Sequence, residues 1–248
     1  MTFKYTIAAT MIYANLSWGQ SAPGKGAKAL YYDVTSQVAV LGADPPRRQG
    51  SSSLPVSQER VPNTGLMYYV ELIKPNQELQ RVNATRGFQS GEKIRLHFQS
   101  NVDGRLVILQ KQTGGTAQKL FPDPRVNGGD NRIRAGADTI IPSEKAWLTF
   151  DNKLGEERLM VFLTPESGFQ AIQRDVASTT LDRERTERLE VLISQRRTGS
   201  KALVLEVDDK GDSPAVYAVA SQPSPAPKAR VSVPPDIIAL EIVLNHQQ

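Results

Sequence analysis

The 248-residue sequence has no cysteine and only two histidines, His97 and His246. Without cysteine there is no disulfide, no thiolate nucleophile, no thiolate zinc site and no lipid attached through cysteine. A histidine-rich metal centre or a histidine-dependent triad must be built on two residues far apart in the chain. Long apolar runs are missing too: none reaches the roughly 20 residues that cross a bilayer as a helix. Charge of one sign is scarce. Thirty basic residues against 26 acidic leave a formal charge of +4, which supports solubility rather than a dedicated nucleic-acid surface. Also absent are a Gly-x-Ser-x-Gly elbow, a P-loop, a Gly-x-Gly-x-x-Gly turn and a His-Glu-x-x-His helix, so no reactive motif stands out. No cofactor is expected.

The amino terminus reads as an address. Lys4 is the only charged side chain before Lys25, and the stretch Tyr5–Trp18 between them is mostly apolar. A short positive start, an apolar middle and small residues beyond it describe a secretory signal peptide over residues 1–21. A periplasmic or extracellular location follows as the expectation, with no membrane span in the mature chain. Residues 22–63 hold two short strand-like runs, Ala29–Thr35 and Gln37–Leu41. From Asp44 to Asn63 come four prolines and four serines, the composition of a linker.

From residue 64 onward the character is that of short strands. Ile94, Leu96 and Phe98 alternate with Arg95, His97 and Gln99, the period-2 pattern of a half-buried strand. The polar face of that strand makes His97 read as a surface or edge residue, and His246, near the chain end, reads the same way. Asn101-Val-Asp-Gly104 is a turn signal, so the strand and Arg105–Lys111 read as a hairpin. Leu159-Met-Val-Phe-Leu163 is apolar on both faces and predicts a central, fully buried strand. One helix interrupts the pattern at Ser178–Gln195. It has neither Gly nor Pro, a weak Thr179/Asp182 capping box, a favourable Glu184–Arg188 pair, and a stripe of Leu181, Leu189 and Leu192 widened by Val191 and Ile193. Lys201–Val207 and Ala215–Ala220 read as a strand pair, and Ile237–Leu244 as the last strand. The predicted fold is mainly β: an antiparallel β-sandwich, Ig-like or related, over 64–248, with one α-helix inserted before the last three strands.

Candidate functional residues concentrate in the long polar segment after Phe121. Arg125, Asn127, Asp130, Arg132 and Arg134 form a possible partner-binding loop with charges fit for an anionic group or another protein. Two acidic loops, one with Asp123, Asn127, Asp130 and Asn131, the other with Asp208, Asp209 and Asp212, carry oxygen ligands but read first as turns. Glu156 and Glu157 are adjacent, so on a strand they point to opposite faces and cannot work as a carboxylate pair. Trp147 and Phe150 offer either core aromatics or a carbohydrate platform.

Five local patterns come in a fixed order: Phe88-Gln-Ser-Gly-Glu-Lys-Ile-Arg-Leu96, Asn101-Val-Asp-Gly-Arg-Leu106, Leu120-Phe-Pro-Asp123, the Ile140-Ile-Pro142 turn and Gly155-Glu-Glu-Arg158. In that order they resemble a bacterial family known only as domain of unknown function 4384, over about residues 66–163. The resemblance implies a sandwich-like, mostly envelope-associated module, with no established catalytic residues to carry over. The reading that results is an exported, non-catalytic module for protein–protein interaction or assembly in the bacterial cell envelope, its partner an envelope protein rather than a nucleic acid. The alternative is a carbohydrate-binding or glycan-processing envelope domain.

Overall fold

The computed structural model describes residues 26–38, 63–198, 203–209, 213–220 and 237–247. The expected signal peptide and the Pro/Ser-rich linker lie outside the described residues. In chain order the elements are α1 (Ala27–Val38), β1 (Gly65–Ile73), β2 (Leu79–Val82), β3 (Gly87–Gln89), β4 (Lys93–Ser100), β5 (Gly104–Lys111), β6 (Ala117–Phe121), β7 (Arg132–Ile133), β8 (Asp138–Ile141), β9 (Leu148–Thr149) and β10 (Gly155–Thr164). After these come α2 (Gln170–Gln173), β11 (Thr180–Leu181), α3 (Arg183–Thr198), β12 (Leu203–Asp208), β13 (Ala215–Ala220) and β14 (Ile238–Gln247).

The strands form two sheets. The first runs β12-β13-β1-β4-β8, with β2 also on β1 and β9 also on β4; the second runs β11-β6-β5-β10-β14-β3, with β7 also on β5. Every pair is antiparallel except β3 on β14. Alternation dictates how the sheets meet. Leu66, Tyr68, Val70 and Leu72 of β1 and Ile94, Leu96 and Phe98 of β4 turn inward; Leu106 and Ile108 of β5 and Leu159, Val161 and Leu163 of β10 turn to meet them. All are buried in one shared core. The mainly β sandwich expected from the strand pattern is therefore the fold.

β10 lies between β5 and β14, and Leu159–Leu163 are all buried, as a run apolar on both faces requires. Its second face packs under a helix layer. Val107, Leu109, Met160 and Phe162 meet Ile172 of α2 and Leu189 and Ile193 of α3. Asp182 caps α3, its Oδ1 accepting the Arg185 backbone N–H at 2.9 Å. The residues Thr180–Leu181, expected inside the helix, pair instead with β6. Glu184 and Arg188 form the expected i,i+4 bond at 2.7 Å. β12 and β13 pair as expected.

Three further expectations are corrected. Ala27–Val38 is a helix, not part of two strand-like runs. Its Ala27, Leu30 and Tyr31 make an i, i+3, i+4 stripe that lies on Tyr217 and Val219 of the first sheet, and that docking outweighs the β-branched composition of the segment. β4 and β5 are not a hairpin: they belong to different sheets. The Asn101–Asp103 turn carries the chain across the core, and buried Asn101 clasps the corner. Its Oδ1 accepts from the Gly65 N–H at 2.6 Å, and its Nδ2 donates to the carbonyls of Tyr31 and Asn63. Val191 does not widen the apolar stripe of α3; it is 54% exposed. No helix among the described residues is long and apolar enough to cross a membrane.

Candidate functional site

The polar segment between β6 and β7 is built from a repeated Asp-x-Arg unit. Asp123 accepts the backbone N–H of Arg125 at 2.9 Å and its guanidinium at 2.6 Å; Asp130 accepts the N–H of Arg132 at 3.0 Å and its Nε at 3.1 Å. Each aspartate thus makes an Asx-type turn and neutralises the arginine two residues on. These side-chain bonds hold the Asp123 and Asp130 carboxyls below the usual carboxylate range. Both loop aspartates of the first candidate cation set are therefore committed to arginine. In the second set, Asp208 pairs with Lys28, and Asp212 lies outside the described residues.

The base of the segment is fixed. Buried Asn131 accepts from Arg105 Nη1 at 3.0 Å through its side chain and from the Leu106 N–H through its carbonyl. Arg105 also grips Glu166 at 2.6 and 2.8 Å. The tip is exposed: Arg125, though paired with Asp123, is 89% exposed. Asn127 opens a short 3-10 turn through Gly129, with Gly128 at a φ of 64° that suits glycine; the Asn127 side chain lies outside the described residues.

Two open clefts flank this segment. The larger, about 800 Å³, has Arg125, Asp130 and Arg132 on one wall and Asp138, Glu144 and Lys145 on the other. The smaller, about 470 Å³, brings Asp130, Arg132 and Arg134 together with Asp103 and Glu166. Asp130 and Arg132 belong to both. Four of the five predicted side chains therefore line one cleft or the other, three in each, and the walls carry both signs of charge.

The far wall of the larger cleft is held by a polar network that the sequence reading missed. His97 is buried, not an edge residue: its Nδ1 lies 2.8 Å from Asp138 Oδ2 and 3.0 Å from the Tyr69 hydroxyl, and its ring stacks on Tyr69 at 4.4 Å. Its Nε2 lies 3.4 Å from Glu71 Oε2. Arg95 binds the same oxygen, donates to the Glu144 carbonyl at 2.7 Å and covers a face of Trp147 at 4.0 Å. Beyond Tyr69, Arg81 closes the stack at 3.7 Å. The odd-numbered residues of β4, Lys93, Arg95, His97 and Gln99, signal such a face by their polarity, but the partners Asp138 and Trp147 come from another part of the chain.

Three other expectations find their places. His246 is buried as well. Its Nδ1 donates to the Lys153 carbonyl at 2.7 Å, and its Nε2 lies 3.0 Å from the Ser90 hydroxyl. Phe150 is a core aromatic, stacked on Phe88 with centroids 4.8 Å apart. Glu156 and Glu157 do diverge: Glu156 accepts from Arg158, and Glu157 from Gln110.

Residues 87–167 match the family model described as "Domain of unknown function (DUF4384)". The DUF4384 match starts at β3, later than the expected Leu66, and ends just past β10. It contains the whole Asp-x-Arg segment and both cleft walls, whereas β1, α3 and the last three strands lie outside it. No curated protein and no solved structure matches the chain.

Proposed function

We propose that this protein is an exported, non-catalytic module that binds another protein of the bacterial cell envelope through the larger cleft beside the Asp-x-Arg segment. The observation that carries this reading is a fixed base with an exposed tip: Asn131 and Arg105 anchor the segment while the Arg125 side chain, paired with Asp123, stands in solvent beside an 800 Å³ opening. Functional contacts concentrate on loops held by a rigid scaffold. Arg125, Asp130 and Arg132 on one wall and Asp138, Glu144 and Lys145 on the other suit a partner with its own mixed charges, since complementary patches steer encounter and fix register. A polyanion is a poorer match, because Arg125 and Arg132 already hold a carboxylate each.

Chemical crosslinking to a bacterial envelope fraction tests the reading. A discrete adduct is expected with the native chain and is lost in the charge-reversed pair Arg125→Glu and Arg132→Glu. An adduct that survives the double reversal undiminished places the interface elsewhere. Export is tested separately by intact mass: the mature chain is expected to begin near residue 20 or 22, and a periplasmic chain that keeps Met1 overturns cleavage.

A further inference from the structure

The sandwich core is open at one end. β10 and β14 continue there as a pair down to Gly155 and His246, while the first sheet offers opposite them only the two-residue β9 beside Lys93 and Ile94. The gap is a cavity of about 220 Å³. Its interior is made of the ends of core rows: Ile94, Phe150, Leu159 and Leu244 are buried, and Leu120 and Leu148 partly so.

The mouth is chemically different. Leu159, Val161 and Leu163 set the inward phase of β10, and Glu157, two residues earlier, shares it. Gln110 extends the inward row of Leu106 and Ile108 in β5 in the same way. Both line the cavity, and the Gln110 amide donates to Glu157 at 2.7 Å. No cation pairs with Glu157 among the described residues. Its neighbour Arg158 turns to the other face, toward Glu156 and Glu241. Asp151, the second carboxylate on the lining, accepts the Lys153 backbone N–H at 2.7 Å and has no basic side chain on it among the described residues. Asp151 is exposed and Glu157 half-buried, so both carboxylates stay open to a cation that approaches the mouth. Here the walls supply hydrocarbon, and the mouth supplies two carboxylates that no cation meets among the described residues.

We propose that this cavity binds a small apolar group that carries a primary ammonium. The apolar part fills the space between Ile94, Phe150 and Leu244, and the ammonium meets Glu157 and Asp151. An apolar cavity of about 150 Å³ holds a benzene ring, so 220 Å³ fits a ring with a short tail. The same carboxylates reject an anion of equal size. This site shares no residue with the larger cleft, and the inference does not depend on the protein-binding reading.

Amide chemical-shift titrations of the full chain test the proposal with three probes: phenethylamine, 3-phenylpropionate, and a tripeptide that begins with phenylalanine. Phenethylamine is expected to shift the amides of Thr149–Asp151 and Glu157–Leu159, and phenylpropionate is not. Glu157→Gln is expected to weaken the amine by about tenfold, and Leu120→Trp, which fills the cavity, to abolish binding while the rest of the spectrum persists. Binding of the tripeptide as well identifies peptide amino termini as the source of the ammonium; binding of the amine alone identifies a free amine. Equal binding of amine and carboxylate overturns the proposal. So does an unchanged amine affinity in Glu157→Gln, or no shift at millimolar probe in a protein with a native spectrum.

Discussion

Glu71 and Arg95 stand directly opposite each other across the β1–β4 ladder, and a single oxygen, Glu71 Oε2, takes the guanidinium Nε at 3.0 Å and Nη2 at 2.5 Å. Both side chains are largely buried, with 14% and 12% of their surface exposed. The pair has a further load, because Arg95 also holds the Glu144 carbonyl and lies over Trp147. Removing one member leaves the other charged and desolvated. Glu71→Gln is expected to cost about 3 kcal/mol of unfolding free energy, read as a lower urea midpoint with an unchanged slope. Arg95→Lys keeps the charge but loses the planar fork over Trp147, and a double-mutant cycle of the two positions is expected to show strong coupling. Additivity refutes the shared-oxygen picture.

The outer layer on the second sheet gives a sharper contrast within one helix. Leu189 is 1% exposed and meets the β10 face; Val191, two residues on, is 54% exposed. Leu189→Ala is expected to cost about 2–4 kcal/mol. Val191→Ala removes a stiff β-branched residue from an exposed helical position and is expected to be neutral or slightly stabilising. Thermal unfolding of the two variants decides between them, and a penalty for Val191→Ala equal to that of Leu189→Ala removes the assignment of faces.

How much of this was legible follows from the range of each interaction. Period-2 alternation in Ile94–Phe98 and the two-faced run Leu159–Leu163 are local, and both strands lie where the pattern places them. Partner choice between strands is not local. The Asn101–Gly104 signal reads as a hairpin because its residue types favour a tight turn, yet the chain crosses between sheets there to join two inward faces. α1 shows the same limit: its stripe acquires meaning only against Tyr217, far along the chain. In the candidate site, the Asp-x-Arg units are i,i+2 features and were visible as a charged loop. The His97–Asp138 and Arg95–Trp147 contacts join residues 41 and more apart, and nothing in the local pattern of β4 names its partners.

The Asp-x-Arg turns carry their own test. Arg125 keeps the Asp123 carboxyl below its usual range, and Arg105 does the same for Glu166. A lowered carboxyl pKa contributes stability that is present above the ordinary carboxylate range and lost as pH falls through the lowered value. Arg125 and Glu166 are exposed, so salt is expected to weaken the effect strongly. Carboxyl carbon titration is expected to find Asp123 below a reference aspartate, and Arg125→Ala to return it. Arg125→Glu is expected to lower the urea midpoint only slightly, since an exposed ion pair contributes little, whereas its effect on partner binding is expected to be complete.

Alkaline pH probes the core itself. Tyr68 of β1 is 7% exposed among the residues shared by both sheets, and burial pushes its hydroxyl up from 10.0 to about 12. The neutral phenol is the form the core accepts, because desolvation disfavours the phenolate. The unfolded chain releases the proton near pH 10 and the folded chain only near pH 12, so the stabilisation is complete below pH 10 and is lost as pH rises through that window. Over those two pH units Tyr68 is expected to draw about 2–3 kcal/mol from the folding free energy. Tyr68→Phe removes this group's share of the loss while keeping the ring against Phe98. Urea unfolding of both chains at pH 8, 10 and 11.5 makes the comparison. The expected result is near-equal stability at pH 8 and a variant that declines less steeply above pH 10; parallel decline of the two chains assigns the alkaline sensitivity to other groups.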